Sequence, residues 1–273
     1  MWQVLSSKLA HVIVALLNVL APLGSNIRQN VVYAPGASHQ ADIYRPGGGA
    51  ARPVVVFLYG GGWRSGSKED VAFVGAALAR RGFVVVIPEY RHVPMVGLPD
   101  ILADNAAAVA WTIAHASEFG GDPHRVVVAG HSSGAWAAAM LALDPRWLAQ
   151  AGVEPSALAG MIGIAGPYAV WSLTEPEDKE VFAGSGPEME PINLRPSRQP
   201  PLLLVAGTAD RDVLPSSTSA LADHVRGLGG RVESHIYAGL GHDQIVKALS
   251  FPFSLWSPVS SDVDRFLHLD KRT

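Results

Sequence analysis

Five unbroken apolar runs, Val54–Tyr59, Phe83–Ile87, Val126–Ala129, Met161–Ala165 and Leu202–Ala206, recur along the chain with helix-forming stretches between them. A strand with one wet face alternates apolar and polar residues; an unbroken run has no wet face and must be covered on both sides. The stretches between read as helices. Glu69–Arg81 stops at Gly82, a residue suited to a helix C-terminus. Ile101–Glu118 is alanine-rich and ends before Gly120-Gly121, Ser133–Leu143 stops before Asp144-Pro145, Ser216–Arg226 ends near Gly227, and Asp262–Leu269 closes the chain. Strands alternating with helices require crossovers, hence an α/β fold around a mostly parallel central sheet with helices on both faces. The short runs Val31–Tyr33 and Ala41–Pro46, separated by Pro35-Gly36, add an antiparallel start, and the alternating Arg231–Ala238 adds a last strand, for about eight in all.

With 273 residues and 48% of them apolar, the chain has material for one domain, 1–273, with a large core. The net charge of −3 offers no attraction for nucleic acid or an anionic membrane. The absence of cysteine excludes disulfides, thiolate metal sites and cysteine nucleophiles. Residues 1–25 carry an apolar stretch, His11–Ser25, too short to span a bilayer. Leu5, Leu9, Val12, Leu16 and Val19 recur at steps of three and four, so the segment reads as an amphipathic helix packed on the domain. This favours a cytoplasmic protein; the competing reading is a signal peptide or membrane anchor, which would make it exported or membrane-associated. Residues 167–201, rich in proline, glycine and acidic residues, are too few for a separate cap domain and read as a short cap or loop insertion facing the substrate.

Chemistry is expected in the loops that follow the strand C-termini, where a parallel sheet forms its ligand crevice. Gly130-His131-Ser132-Ser133-Gly134 sits between a buried strand and a helix. A Gly-x-Ser-x-Gly turn in that context lifts the serine hydroxyl to the top of the sheet, beside backbone N–H groups at the helix N-terminus. In "FLYGGGWRSG", Phe57–Gly66, three glycines follow another buried strand. They serve a flexible turn, or a backbone whose N–H groups are fixed toward an oxyanion; the tryptophan that follows favours the second. A serine needs a base, and the base an orienting acid. Asp210, in "GTADRDVLP", and His242, in "GLGHDQ", follow the last two strands, in the order serine, acid, histidine. Asp212 competes with Asp210, but the acid of a Gly-x-x-Asp-x-x-Val loop is its fourth position, Asp210. Asp243 is expected to face solvent or cap the next helix.

These motifs resemble the α/β-hydrolase superfamily, and within it the hormone-sensitive-lipase-like and carbohydrate-esterase-like carboxylesterases of bacteria. "YGGGW" stands where that group has His-Gly-Gly-Gly, "GHSSGA" is its elbow, "PEYRHVP" is similar to its Asp-Tyr-Arg-x-x-Pro segment, and "GGDPHRVVVAGHSSG" is typical throughout. The resemblance runs from about Val31 to the C-terminus. It implies an α/β-hydrolase fold with a reduced cap, a Ser132–His242–Asp210 triad, and an oxyanion hole formed by Gly61, Gly62 and the N–H of Ser133. A small-molecule ester is the expected substrate, and such a triad needs no cofactor; no histidine pair has zinc-ligand spacing, so no metal is expected. Tyr59 replaces a histidine that the group uses structurally.

The other polar and aromatic residues have quieter readings. Arg91 is expected to pair with a carboxylate such as Asp104; His131 to pack with its side chain away from the base; and His92, His115 and His124 to lie at the surface or in turns. Trp63 and Trp136 line a substrate pocket or belong to the core. The expected activity is hydrolysis of short-chain carboxylic esters. The rivals are an arylformamidase cleaving N-formylkynurenine, a prenylcysteine methylesterase, an acetyl-xylan or feruloyl esterase, and, in a different class, a hydrolase-fold protein that binds ligands without turnover.

Overall fold

The computed structural model describes residues 26–48 and 51–268. The amphipathic-helix reading of residues 1–25 lies outside these. Eight strands form one sheet: β1 Asn26–Val32, β2 Gln40–Arg45, β3 Arg52–Leu58, β4 Val84–Pro88, β5 Gly121–His131, β6 Leu158–Ile164, β7 Leu202–Gly207 and β8 Val232–Tyr237. Their order is β1-β2-β4-β3-β5-β6-β7-β8. β2 is antiparallel to both of its neighbours and all other pairs are parallel. All five unbroken apolar runs are strands of this sheet. β3, β4 and β7 are buried almost throughout, as runs covered on both faces require.

Helices α1 Ala72–Arg80, α2 Leu98–His115, α3 Ser133–Leu143, α4 Pro145–Gln150, α5 Pro176–Glu180, α6 Ser216–Gly227, α7 His242–Lys247 and α8 Val259–His268 fill the connections. From β3 the chain crosses to β4 on one side; from β4 it crosses back over β3 to β5. Two right-handed crossovers in opposite directions put α1 and α2 on opposite faces. α8 joins α1: Arg81, just past α1, donates to the Ser260 carbonyl (3.3 Å) and to Asp264 (3.5 Å). β3 and β5 are neighbours whose chains leave in opposite directions, which opens a crevice at their C-terminal ends. The glycine loop follows β3 and the serine turn follows β5, so the order of the strands alone brings both to that crevice.

Two element readings change. β1 begins at Asn26, not Val31; it is a polar edge strand with mostly exposed residues, so it leaves no hydrophobic pattern. β5 begins five residues early, at Gly121, in the polar stretch "GDPHR". The 167–201 segment, expected as a short cap or loop insertion, holds α5 and three short 3-10 turns.

Candidate active site

Ser132 follows β5 and is the residue before α3, with φ 55° and ψ −128°, an unusual conformation for a residue with a side chain. The flanking glycines make the turn possible by their size. A Cβ on Gly134 would lie 2.1 Å from the Leu58 carbonyl oxygen, and one on Gly130 would lie 2.3 Å from the Gly134 oxygen. Strand, turn and helix therefore touch through bare backbone, and Ser132 N–H is fixed by the Ile164 carbonyl at 2.9 Å.

His242 opens α7, and its Nε2 lies 2.8 Å from Ser132 Oγ. Its Nδ1 lies 2.8 Å from Asp210 Oδ2. A carboxylate only accepts, so Nδ1 carries the proton and the bare Nε2 of the neutral ring accepts from the serine hydroxyl. Asp210 is itself held: its Oδ1 accepts from the N–H groups of Asp212 and Val213, both at 3.0 Å. Burial works against the Asp210 charge, but the His242 hydrogen bond and charge and the two backbone donors hold its carboxyl below the usual range. Burial likewise disfavours the imidazolium of His242. The hydrogen bond and charge of Asp210, with the charges of Asp212 and Asp243, outweigh it and raise His242 above the ordinary histidine value. Asp212 is exposed and makes no side-chain bond to His242, and Asp243 faces solvent and pairs with Lys247 (3.3 Å).

The glycine loop lies against this turn: a Cβ on Gly60 would stand 2.8 Å from Ser132 Cβ. Gly61 (φ 145°) and Gly62 (φ 59°) have backbone that favours glycine. The Gly61 carbonyl closes the turn, accepting from the N–H groups of Arg64 and Ser65, both at 3.1 Å. Among the described residues, no acceptor takes the N–H groups of Gly61 or Gly62. Ser133 is the first residue of α3, so its N–H belongs to the helix's unpaired first turn.

Beneath the loop lies a network not anticipated from the sequence. Tyr59 Oη donates to Glu89 and lies 3.2 Å from His92 Nε2. The Tyr59 ring stacks on Tyr90 at 4.4 Å, and Tyr90 Oη donates to the Tyr59 carbonyl at 2.7 Å. Burial raises the Glu89 carboxyl above its usual range, against hydrogen bonds from Tyr59 and the Lys68 N–H. Tyr59 thus anchors the loop structurally, as expected of the residue at that position. His92 is not a surface residue: it is half-buried against Tyr59 and Tyr90. His115 is also drawn in, stacked on Trp111 at 4.5 Å, while His124 is exposed as expected. Arg91 meets Asp104 through two side-chain bonds, at 2.8 and 2.7 Å, as anticipated.

Two further expectations change. Trp63 and Trp136 are buried, 2% and 0% exposed, and offer no open surface to a substrate. They form an edge-to-face cluster with Phe182 of the 167–201 segment, and Trp136 Nε1 donates to the Met189 carbonyl at 2.8 Å. His131 does not point away from the base; its ring lies 4.7 Å from that of His242.

The 167–201 segment reaches from the Asp210 loop to the glycine loop. At one end Leu173 bridges Val213, and Thr174 Oγ1 donates to the Arg211 carbonyl at 2.9 Å. At the other, Asp178 accepts from Arg64 at 3.0 Å and sits against Gly62, whose Cβ would be 2.7 Å from Oδ1. Among the described residues, two groups of donors lie close enough to share a cation, Asp210–Asp212–His242 and Glu233–His235–Asp262. The first engages Ser132 through its imidazole, and the second is bridged by Arg265. No described helix is long and apolar enough to cross a membrane.

A mostly parallel eight-stranded sheet with a serine turn after its fifth strand, an acid after the seventh and a histidine after the eighth defines an α/β-hydrolase fold. Solved structures agree: the chain superposes on Thermogutta terrifontis esterase 2 with a TM-score of 0.72 at 24% identity, covering 90% of this chain and 94% of that one. Against esterase B from Lactobacillus rhamnosis the TM-score is 0.79 at 17% identity, covering 96% and 94%. The BD-FAE family profile matches residues 41–225, about two thirds of the chain, and the chain belongs to that family. Among curated relatives, the isoprenylcysteine alpha-carbonyl methylesterase ICME of Arabidopsis thaliana is 27% identical over 243 residues, which cover 80% of this chain and 57% of that protein. The chain thus spans little more than half the length of this relative.

Proposed function

We propose that the protein is a serine hydrolase of short-chain carboxylic esters. Ser132 attacks the ester carbonyl as His242 Nε2 takes the hydroxyl proton. Asp210 holds the ring in the tautomer that leaves Nε2 bare and favours the imidazolium that forms. The N–H groups of Gly61, Gly62 and Ser133 receive the negative charge that develops on the carbonyl oxygen. His242 then gives its proton to the leaving alcohol, activates water against the acyl-enzyme, and returns to its resting state as the acid departs. The observation that carries this reading is the continuous hydrogen-bonded line Asp210–His242–Ser132, two contacts of 2.8 Å. A ligand-binding protein without turnover has no use for so complete an arrangement.

The short 167–201 segment supports the preference for short acyl chains. Each methylene contributes about 0.8 kcal/mol only where a wall removes it from water, and Phe182 already fills the space beside Trp63 and Trp136. The named methylesterase relative favours a second reading, a methyl ester of an isoprenylated cysteine. A panel of p-nitrophenyl esters from two to twelve carbons, run beside an isoprenylcysteine methyl ester and N-formylkynurenine, tests both. We expect kcat/KM to peak at about two to six carbons. A steady rise to twelve carbons, or a dominant rate on the prenylated methyl ester, favours the second reading; a dominant rate on the formamide overturns both.

A further inference from the structure

We propose that His131 is a positioning residue for His242, a role that rests on His242 being the general base. His131 is the last residue of β5, the strand that ends in Ser132, and its neighbours pair with β3 and β6. From there its ring reaches the first turn of α7. Its Nε2 lies 3.0 Å from the main-chain carbonyl oxygen of His242. A carbonyl only accepts, so Nε2 carries the hydrogen and donates it. The two rings lie 4.7 Å apart at a tilt of 44°, so His131 also walls one side of the imidazole.

The remaining polar contacts of this turn stay within α7 or lead elsewhere. Gln244 accepts from the Gly241 N–H at 2.9 Å, Lys247 pairs with Asp243, and Asp210 holds His242 from the loop after β7. Among the described residues, the only other polar tie between β5's end and α7 is the reacting pair Ser132–His242 itself. That pair must part when the proton moves and substrate enters. The His131 bond does not take part in the proton transfer, so it keeps the base at a fixed distance from the nucleophile throughout turnover. A shift of about 1 Å in such a pair costs up to a hundredfold in rate.

The bond is available at any working pH. Burial and the charge of His242 push His131 down to about 3, so it stays neutral with one N–H and one bare nitrogen. The bare Nδ1 faces Gly60, whose Cβ would stand 3.4 Å away. The charged and titratable groups facing His242 are Asp210 and Asp212 from the loop after β7, Asp243 from α7, and neutral His131 from β5.

The test compares His131→Leu, His131→Gln and His131→Asn with wild type in steady-state kinetics, pH profiles and circular dichroism. Leucine removes the donor, asparagine is too short to reach the carbonyl, and glutamine keeps an N–H at a similar reach. We expect His131→Leu to lower kcat about ten- to a hundredfold with KM within about twofold. Its acid limb should move to lower pH, because a loosened His242 gains less from Asp210. Glutamine should restore most of the rate and the limb, and asparagine should not. If the leucine variant does not fold, the glutamine–asparagine pair decides alone. A wild-type kcat in His131→Leu, or equal losses in the glutamine and asparagine variants, overturns the proposal. His242→Asn serves as the control. If it retains activity the base assignment fails and the proposal with it; if it is dead while His131→Leu is normal, the proposal alone fails.

Discussion

From Val126 to Asp144, every residue but Ser132 is buried, whereas from Thr174 to Glu188 only Phe182 is. The first stretch is strand, turn and helix packed through glycine backbone at distances that admit no side chain. The second is a five-residue helix and short turns rich in charge, tied down by one aromatic ring, an Arg64–Asp178 pair and a few bonds to the Asp210 loop. The two regions differ in what a mutation can do. In the elbow, the backbone fixes the reacting atoms and tolerates almost nothing. In the segment above it, few buried contacts hold the chain, so it can change sequence and shape without disturbing the floor. The contrast separates bond-making from substrate choice: the elbow should govern kcat, and the segment should govern which esters are accepted.

The largest effect tests the elbow. Ser132→Ala should lower kcat/KM by about 10⁴-fold or more with an unchanged melting temperature, since it removes a single partly exposed hydroxyl. Ser133→Ala should be mild, because only its backbone N–H is used. The reverse order in an ester assay would mean the turn has been read one residue out of register. Next, Asp210→Asn should cost about 10³- to 10⁴-fold, and Asp212→Asn only a few-fold, because Asp212 supplies an N–H and a nearby charge but no hydrogen bond to His242. Equal losses would break the assignment of the acid.

The pH profile sharpens the same region. His242 is raised above the ordinary histidine value of about 6.5, and it must be neutral to accept a proton. Activity should therefore rise with pH through a limb lying above that value. Removing the Asp210 charge should move the limb down. A wild-type limb below 6 would contradict the stated balance of burial and carboxylate charge.

The smallest effect tests the other side of the comparison. Arg64→Ala or Asp178→Ala should change KM and the chain-length profile a few-fold and leave kcat on the best short ester nearly intact. Stability should hardly move, because partly exposed ion pairs contribute ~0–1 kcal/mol. A loss of kcat comparable to that of Asp210→Asn would erase the distinction between floor and segment.

The floor was also the more legible region. Its strands are unbroken apolar runs, its turn has a five-residue signature, and Asp210 and His242 each stand just beyond a strand, so local pattern carried most of it. Contacts distant in sequence left no pattern. Tyr59, Glu89 and His92 meet across some thirty residues, and His131 meets His242 across 111. Trp63 and Trp136 looked the same whether pocket or core; Phe182 and the Met189 carbonyl, from a segment without periodicity, pack against them. β1 escaped because an edge strand with wet residues has no hydrophobic signature. The brief α4, α5 and α7, five or six residues each, are too short to show a helical period.

The central claim is that the Ser132 hydroxyl is the nucleophile. A fluorophosphonate probe applied to the purified chain, followed by mass mapping of the adduct, tests it most directly. The account predicts one adduct per chain, on Ser132, forming in step with the loss of esterase activity and slowed by His242→Asn. An adduct on another residue, or undiminished ester turnover after Ser132 is fully labelled, would contradict it.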